Sequence, residues 1–396
     1  MLASRWFLPA AALGATGAFL TLYSLWRSGE EGIGLARMSE SFHYLLAQFQ
    51  VLATYLRLLV WPAGLTIDHD FRPAPALSAY GLTCALFVAA ILACTFLIRK
   101  RLPAAALLLA AFLIMLAPTS SIIPSRDLLF EHRLYMPMIA AAIGMAWLLL
   151  AAFRAVFPGA MLRTGACLLG FCLLLAGYSA ASAKRTYVWG ETIRLWEDAV
   201  AKAPDKSRPH YNLGVAFLDR DRARARDEFL QTVKLDAGHA AALYDLGWLA
   251  QTDGAWDEAR RYYARALAAD PKTWQAHHNL GNLSLLQGDL PEAAKEFAET
   301  IRLRPDYWPA HLNLAAAQLR SGDTQAALRT IEALKRLRWD LLEARLASAE
   351  ILLRQSRYGE AAAELRFAAE HDAAGGYRDR IQALRKRIPA QMKSLK

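Results

Sequence analysis

Apolar residues form long unbroken runs in the first half of the chain and short periodic patterns in the second half. A helix needs about 20 mainly apolar residues to cross a bilayer. Candidate spans of about this length are 6–26, 77–98, 102–118, 134–153 and 162–182. Beyond residue 183 charged residues are frequent and no such run occurs. The pattern predicts an all-α protein with about five spans in 1–183 and a helical domain in 184–396.

A sixth apolar segment, 42–61, differs from these spans because it carries polar side chains. It contains His43, Gln48, Gln50 and Arg57. Polar side chains are costly in contact with lipid tails, whereas an amphipathic helix can lie in the interface with its polar face in water. We therefore expect an interfacial helix at 42–61.

Positive charges predict the topology. Arg99–Arg101 follows one candidate span, and Arg154 and Arg163 flank the connection between the last two. Positively charged loops stay in the cytoplasm. The repeat domain is then outside the cytoplasm, and the composition favours a multi-pass protein of a bacterial inner membrane with a periplasmic domain. Membrane-flanking residues explain much of the net charge of +10, so we expect membrane lipid and no nucleic acid among the partners.

A repeat dominates the second half. Leu213-Gly214, Leu246-Gly247, Leu280-Gly281 and Leu314-Ala315 follow one another at 33, 34 and 34 residues. This is the period of a tetratricopeptide repeat (TPR) array, in which helical hairpins stack on their neighbours. We predict a TPR α-solenoid of five to six hairpins in 184–396. Its first helix falls near 172–185, so the last span should continue into the solenoid.

An amide or carboxylate precedes each of these steps, at Asn212, Asp245, Asn279 and Asn313. An amide can both donate and accept hydrogen bonds, which suits the backbone of an extended peptide. The pattern resembles the asparagine ladder of O-linked N-acetylglucosamine transferases. We predict a peptide-binding groove that also includes Tyr244 and Trp248. The alternative is that the amides cap or bridge within each hairpin.

Two segments beside the membrane carry candidate chemistry. Asp68 and Asp70 flank a histidine and could hold a divalent metal or act in acid–base catalysis, or they could belong to a hydrated turn. Charged side chains also crowd the segment before the fourth span. They are Glu131, His132 and Arg133, with Tyr135 close by. Arginine suits a phosphate group, although a Glu–Arg pair could simply anchor the segment.

Two motifs together resemble one family. They are Tyr55-Leu56-Arg57 with Trp61-Pro62, and Glu131-His132-Arg133-Leu134-Tyr135-Met136-Pro137. Followed by TPRs, they are similar to the transmembrane-and-TPR O-mannosyltransferases and their bacterial relatives, a polytopic class of GT-C-like glycosyltransferases. The resemblance implies a polyprenyl-phosphate sugar as donor. It also implies donor-binding roles for Arg133, His132, Tyr135 and Arg57, and makes Asp68, Asp70 and Glu131 catalytic candidates.

The resemblance covers the C-terminal portion of such an enzyme. Family members place their catalytic acid in the first non-cytoplasmic loop of a longer membrane domain, so a separate N-terminal membrane subunit could supply it. His132 and Met138 also depart from the pattern of animal members. Two hypotheses follow. The protein transfers a sugar to an acceptor protein held by the TPRs, or it is a non-catalytic membrane-anchored scaffold for an envelope complex.

Overall fold

The computed structural model describes residues 38–60, 64–69, 78–116, 135–156 and 159–389. Across these ranges the chain forms helices and no strand, as the all-α prediction requires. The helices before the repeats are α1 Met38–Val60, α2 Ala79–Ile98, α3 Pro103–Leu116, α4 Tyr135–Val156, α5 Ala160–Trp189 and α6 Thr192–Lys202. Those that follow are α7 Ser207–Phe217, α8 Arg222–Leu235, α9 Ala240–Thr252, α10 Trp256–Ala269, α11 Trp274–Gln287, α12 Leu290–Leu303, α13 Trp308–Arg320, α14 Thr324–Leu337, α15 Leu342–Arg354, α16 Tyr358–His371 and α17 Arg378–Lys386.

Three helices are long and apolar enough to cross a membrane, within α2, α4 and α5. In the described part of the chain their apolar side chains are largely exposed; Leu97 is 72% exposed and Leu173 is 65% exposed. Such surfaces suit contact with hydrocarbon. The predicted span at 102–118 corresponds to the shorter apolar helix α3. The predicted span at 6–26 lies outside the described residues.

Helix α1 occupies most of the segment predicted to lie at the interface. Its Val51 and Tyr55 are fully buried, and they belong to a core with Phe112 of α3 and Ala140 of α4. This face of α1 is therefore covered by protein, because its apolar side chains pack on the neighbouring helices. Its position relative to a bilayer stays a prediction.

The last candidate span and the segment after it form one helix. α5 runs without interruption over 30 residues and then contacts α6. This confirms that helix connects the last apolar segment to residues 184–189, as the repeat spacing predicts. The chain divides into two compact units, Met1–Ala216 and Phe217–Lys396. The boundary at 183 between a membrane domain and a repeat domain stays a prediction.

Helical hairpins build the second unit. The pairs are α9 with α10, α11 with α12, α13 with α14 and α15 with α16. The first helices of successive hairpins also touch one another, α11 contacting α13 and α13 contacting α15. We call α9, α11 and α13 the inner helices and α10, α12 and α14 the outer helices. Helix α17 covers the last hairpin with Ile381 and Leu384.

The glycines of two Leu-Gly steps, Gly247 and Gly281, let the two helices of a hairpin approach closely. A Cβ on Gly247 would lie 2.6 Å from a ring carbon of Tyr263, and a Cβ on Gly281 would lie 2.7 Å from a ring carbon of Phe297. In the next repeat Ala315 stands at the glycine position, and the residue sixteen places later is the slimmer Ile331; the two share a core cluster. The size of the outer residue therefore compensates for the size of the inner one.

Candidate peptide-binding surface and the segment 64–69

A hydrogen-bonded row crosses from the first complete hairpin of the second unit to the next one. The hydroxyl of Tyr263 donates to Oε1 of Gln251 at 2.8 Å, and Nδ2 of Asn279 donates to the hydroxyl of Tyr263 at 3.0 Å. The Tyr244 ring lies 5.8 Å from the Tyr263 ring, centroid to centroid. Because Tyr263 comes from an outer helix and Asn279 from an inner one, the row ties adjacent repeats together.

A second row joins α11 and α13. Nδ2 of Asn313 donates to Oδ1 of Asn282 at 2.9 Å and lies 3.3 Å from Nε2 of His278. Nδ2 of Asn282 lies 3.3 Å from Nδ1 of the same histidine. The His278 ring also packs edge-on to Tyr307, with 5.1 Å between ring centroids. These side chains are half-buried, so they are held by their neighbours and still reach the surface.

Burial favours the uncharged form of Tyr244, Tyr263 and His278. It raises the pKa of the Tyr244 and Tyr263 hydroxyls, and the charge of Asp245 raises the pKa of Tyr244 further. Burial lowers the pKa of His278 below its ordinary value. Removal from water disfavours the charged form of each group. At neutral pH the two phenols and the imidazole are therefore uncharged.

The residues of the predicted ladder have partners within the chain. Nδ2 of Asn212 donates to the carbonyl of Arg208, one turn earlier in α7, at 3.0 Å. The side-chain nitrogens of Asn279 and Asn313 are used in the two rows described above, and Asp245 is half-buried on α9. These contacts favour bridging as at least part of the role of the amides, while peptide binding stays a prediction. Trp248 lies on the same face, and the guanidinium of Arg222 lies 5.7 Å from its ring.

Three histidines, each three residues before a Leu-Gly or Leu-Ala step, make the same contact with a proline carbonyl. In each, Nε2 lies near the carbonyl oxygen of the proline six residues earlier, in the pairs His210–Pro204 at 2.9 Å, His277–Pro271 at 3.3 Å and His311–Pro305 at 2.9 Å. Nδ1 of His277 also lies 2.6 Å from Oε2 of the buried Glu296. These contacts favour a structural role for the three histidines.

The segment 64–69, between α1 and α2, is held by cationic side chains from three later helices. Asp68 is 2% exposed, and Arg208 forms a two-pronged pair with it, Nε to Oδ2 at 2.5 Å and Nη2 to Oδ1 at 2.6 Å. Lys206 also pairs with Asp68. The Leu65 carbonyl accepts from Lys202 at 2.6 Å and from Arg185 at 2.8 Å. We call this set of contacts the clasp.

Both carboxylate oxygens of Asp68 are therefore paired with cationic side chains. Burial raises its pKa, but the hydrogen bonds and charges of Arg208 and Lys206 outweigh burial and hold the pKa below its usual value. A catalytic base needs an oxygen within reach of a substrate proton, whereas both oxygens of this carboxylate face cations from the chain. The geometry favours a structural role for Asp68 over the predicted catalytic one.

The remaining predicted site residues are not brought together in the described part of the chain. Asp70, Glu131, His132 and Arg133 lie outside the described residues. Tyr135 is the first residue of α4, but its side chain is also outside them. Arg57 is exposed near the end of α1. Within the described residues, no group of three or more His, Cys, Asp or Glu could hold a metal ion.

Comparison with known protein families bears on the repeats. Residues 219–272 and 244–307 match one tetratricopeptide repeat family, and residues 284–338 match another. This part of the chain consists of TPR repeats. The matches support the TPR part of the resemblance drawn from the sequence and give no support to its O-mannosyltransferase part. No curated protein matches the sequence.

Solved structures give low-similarity matches. YrrB, described as a TPR protein with an unusual peptide-binding site, is 16% identical with a TM-score of 0.43, over 48% of this chain and 96% of that one. PilF of Pseudomonas aeruginosa is 16% identical with a TM-score of 0.42, over 54% and 94%. MamA of Desulfovibrio magneticus RS-1 is 15% identical with a TM-score of 0.40, over 43% and 98%. Likeness at this level says nothing about function.

Proposed function

We propose that this protein is a membrane-anchored TPR scaffold, which binds a polypeptide partner on the surface of α9, α11 and α13 and keeps it near a bilayer. TPR repeats and helices long enough to span a membrane occur in one chain. The continuous helix α5 supports anchoring, because it joins a candidate span directly to the region that leads into the repeats.

The observation that carries the proposal is the hydrogen-bonded surface of the inner helices. Asn279 and Asn313 hold amide groups in fixed positions on consecutive repeats, and Tyr244 and His278 lie beside them. Side chains that are already ordered lose little conformational freedom when a ligand binds. Amides, phenols and an imidazole can donate to and accept from the backbone of an extended chain.

The charge pattern supports a location of the repeats outside the cytoplasm. Arg99, Lys100 and Arg101 follow α2, and Arg154 lies near the end of α4. If these residues face the cytoplasm, α5 ends on the opposite side, which in a bacterial inner membrane is the periplasm. Protease added to spheroplasts should then remove the repeats. Full protection of the repeats in intact spheroplasts would contradict this location.

The glycosyltransferase hypothesis rests on the resemblance of the sequence motifs alone. Its donor-binding residue Arg133 lies outside the described residues, and Asp68 is engaged in the clasp. The scaffold hypothesis agrees better with the family matches. A decisive check is Arg133→Ala, which should leave partner binding intact if the protein is a scaffold and should abolish glycan on the bound partner if it is an enzyme.

Site-specific photo-crosslinking tests the scaffold function. Ala316 is exposed on α13, one turn after Asn313 and on the same helix face. A photoreactive amino acid at Ala316 in the full chain in native membranes should crosslink to a distinct polypeptide. Ala264 is exposed on the outer helix α10 and serves as the matched control position. Asn279→Ala in the same chain should reduce the crosslink from position 316.

The assignment is wrong if position 316 yields no polypeptide adduct, or if positions 316 and 264 give the same adducts. It is also wrong if Asn279→Ala leaves the adduct unchanged while a second substitution, Asn313→Ala, does the same. Far-ultraviolet circular dichroism of each variant in detergent checks that the repeats remain folded.

A further inference from the structure

An open groove of about 380 Å³ runs between the apolar helices α2 and α3. α2 contributes Leu92, Thr95, Phe96 and Arg99, which stand three or four positions apart and so share one face of the helix. The Thr95 hydroxyl donates to a carbonyl one turn earlier at 2.8 Å, so its proton is already used. Arg99 is therefore the charged end of an otherwise apolar wall.

Small residues on α3 leave the space that forms the groove. Ala106 and Ala110 lie one turn apart on the face towards α2, and Leu113 and Ile114 continue the wall. The helix from Ala106 to Ile114 is about 12 Å long, compared with about 30 Å for the hydrocarbon core of a bilayer. The groove can therefore hold part of one acyl chain.

The apolar wall of the groove is not covered in the described part of the chain. Leu92 is 54% exposed and Phe96 is 61% exposed. Apolar surface of this kind is unfavourable in water, and an empty space beside it loses dispersion contacts. In a bilayer the groove is consequently filled by hydrocarbon.

Three cations stand at one end of the groove. The guanidinium carbon of Arg99 lies 3.4 Å from the centroid of the Phe96 ring, and its Nη1 donates to the Phe96 carbonyl. Lys100 and Arg101 follow directly and are exposed. The sequence has no Asp or Glu in 71–126, and no described carboxylate pairs with these cations. Their remaining donors are therefore available to an anion.

From the apolar groove and the cations at its end, we infer that this site binds an anionic phospholipid. One acyl chain lies between α2 and α3, and Arg99 holds the phosphate together with Lys100 and Arg101. Arginine forms paired hydrogen bonds with phosphate oxygens, and cations at the headgroup level attract anionic lipids. The inference rests on the membrane anchoring that the proposed function includes, and it adds a specific lipid to that anchoring.

Charge argues against a segment of the chain itself as the occupant. The candidate span 6–26 is an apolar stretch outside the described residues that is long enough to cover the groove. It contains no acidic residue, and Arg5 and Arg27 flank it directly. This segment would bring no negative charge to Arg99 and its neighbours, whereas an anionic phospholipid supplies both the chain and the charge.

Photo-crosslinking with lipids tests the site in the full chain, reconstituted in phosphatidylcholine nanodiscs. Two probes carry the same diazirine-bearing acyl chain, one on phosphatidylglycerol and one on phosphatidylcholine, and mass spectrometry locates the adducts. At equal probe content, the anionic probe should label the groove at least about fivefold more than the zwitterionic probe. Unlabelled phosphatidylglycerol should compete with the anionic probe, and inorganic phosphate should not.

Two matched pairs of variants test where the lipid binds. Arg99→Gln should reduce labelling by the anionic probe about fivefold, whereas Arg154→Gln removes an exposed cation near the end of α4 and should leave labelling unchanged. Ala110→Leu fills the groove and should also reduce labelling. Ala93→Leu adds the same atoms at an exposed position of α2 outside the groove and should not. Far-ultraviolet circular dichroism checks the fold of each variant.

The inference is wrong if both probes label the groove equally, if inorganic phosphate competes as well as phosphatidylglycerol, or if Arg99→Gln and Arg154→Gln act alike. It is also wrong if neither probe labels the groove, because the chain itself then covers it. If one of these results is found while position 316 still crosslinks to a polypeptide and the protein resists extraction by carbonate, the scaffold function stands. Release of the protein from membranes by carbonate would contradict the anchoring and the lipid site together.

Discussion

The close approach at Gly281 allows a quantitative prediction. In Gly281→Ala the new Cβ would lie 2.7, 2.8 and 3.0 Å from three carbons of the Phe297 ring. Carbon atoms pack at about 3.5–4.0 Å, so the ring or the helix must move by nearly 1 Å. Phe297 is fully buried in a cluster with Ala293, Leu314 and Ala317, which leaves little room for movement.

The expected loss of stability is a balance of two effects. Overpacking a tight core costs about 1–3 kcal/mol, whereas replacing glycine by alanine inside a helix gains about 1 kcal/mol. We expect Gly281→Ala to lower the free energy of unfolding of the repeats by up to about 2 kcal/mol. Urea unfolding of the full chain in detergent micelles, followed by circular dichroism, measures the change in midpoint.

A second substitution, Phe297→Ile, should restore part of the stability that Gly281→Ala removes. The repeat that follows places Ala315 and Ile331 at the equivalent positions, so Phe297→Ile in the Gly281→Ala background reproduces a pairing that the chain already uses. Alone, Phe297→Ile should destabilise because it leaves space beside the glycine. The double variant should be more stable than the sum of the two single changes predicts, by about 1 kcal/mol.

Gly359 provides the matched control. It lies in α16, and a Cβ there would meet nothing within 4 Å. Gly359→Ala should therefore be neutral or slightly stabilising. If Gly281→Ala is tolerated as well as Gly359→Ala, or if Phe297→Ile gives no recovery, close helix approach is not the reason for glycine in the Leu-Gly step.

Two further predictions concern charged contacts. Asp68→Asn leaves Arg208 without its buried counter-ion and should speed proteolysis of the 64–69 segment. Asp253→Asn removes a half-exposed carboxylate from another ion pair and should leave the rate of this cleavage unchanged. Equal rates of cleavage in the two variants would contradict the clasp. Burial lowers the pKa of His277, but the hydrogen bond and charge of Glu296 outweigh it and raise the pKa above the ordinary value. The stabilisation is present below about pH 6.5 and should be lost as pH rises through the raised pKa. Glu296→Gln should remove this pH dependence of the unfolding midpoint, and an unchanged profile would contradict it.

The repeat architecture was predictable from sequence because successive hairpins pair a small residue with a larger one sixteen positions later. Gly247 and Gly281 recur at a fixed distance, and the aromatic residue that needs each glycine follows sixteen positions later. Both members of the contact lie within one repeat, so the period is visible in the sequence. The continuity of α5 followed from the same count, since the first repeat had no other place for its first helix.

The hydrogen-bonded rows were only partly predictable. Asn279 and Asn313 stood out by their position, but the partner of Asn279 is Tyr263 of the outer helix. That tyrosine occupies the position at which an apolar ring fills the hairpin core, so its hydroxyl carries no separate signal. The link from Asn313 to Asn282 crosses between repeats and depends on how the hairpins stack. Such contacts are set by packing, not by spacing.

The role of Asp68 was harder to predict from the sequence. In sequence it belongs to an Asp-x-Asp pair beside a membrane, which suggests a metal or a base. Its partners Lys206 and Arg208 come 138 and 140 residues later. An ion pair at that separation leaves no local pattern, because any exposed lysine or arginine in the region would look the same. The buried position of Asp68 became evident only from the fold.

The clasp also ties α5 to the two helices that follow it. Here Arg185 of α5, Lys202 of α6 and Arg208 of α7 all bond to the segment 64–69. The segment in turn follows α1, whose buried face packs on α3 and α4. Because the contacts come from three successive helices, none of the three can rotate without breaking a bond to the same short segment, and the start of the repeat region is fixed to the helices of its own unit.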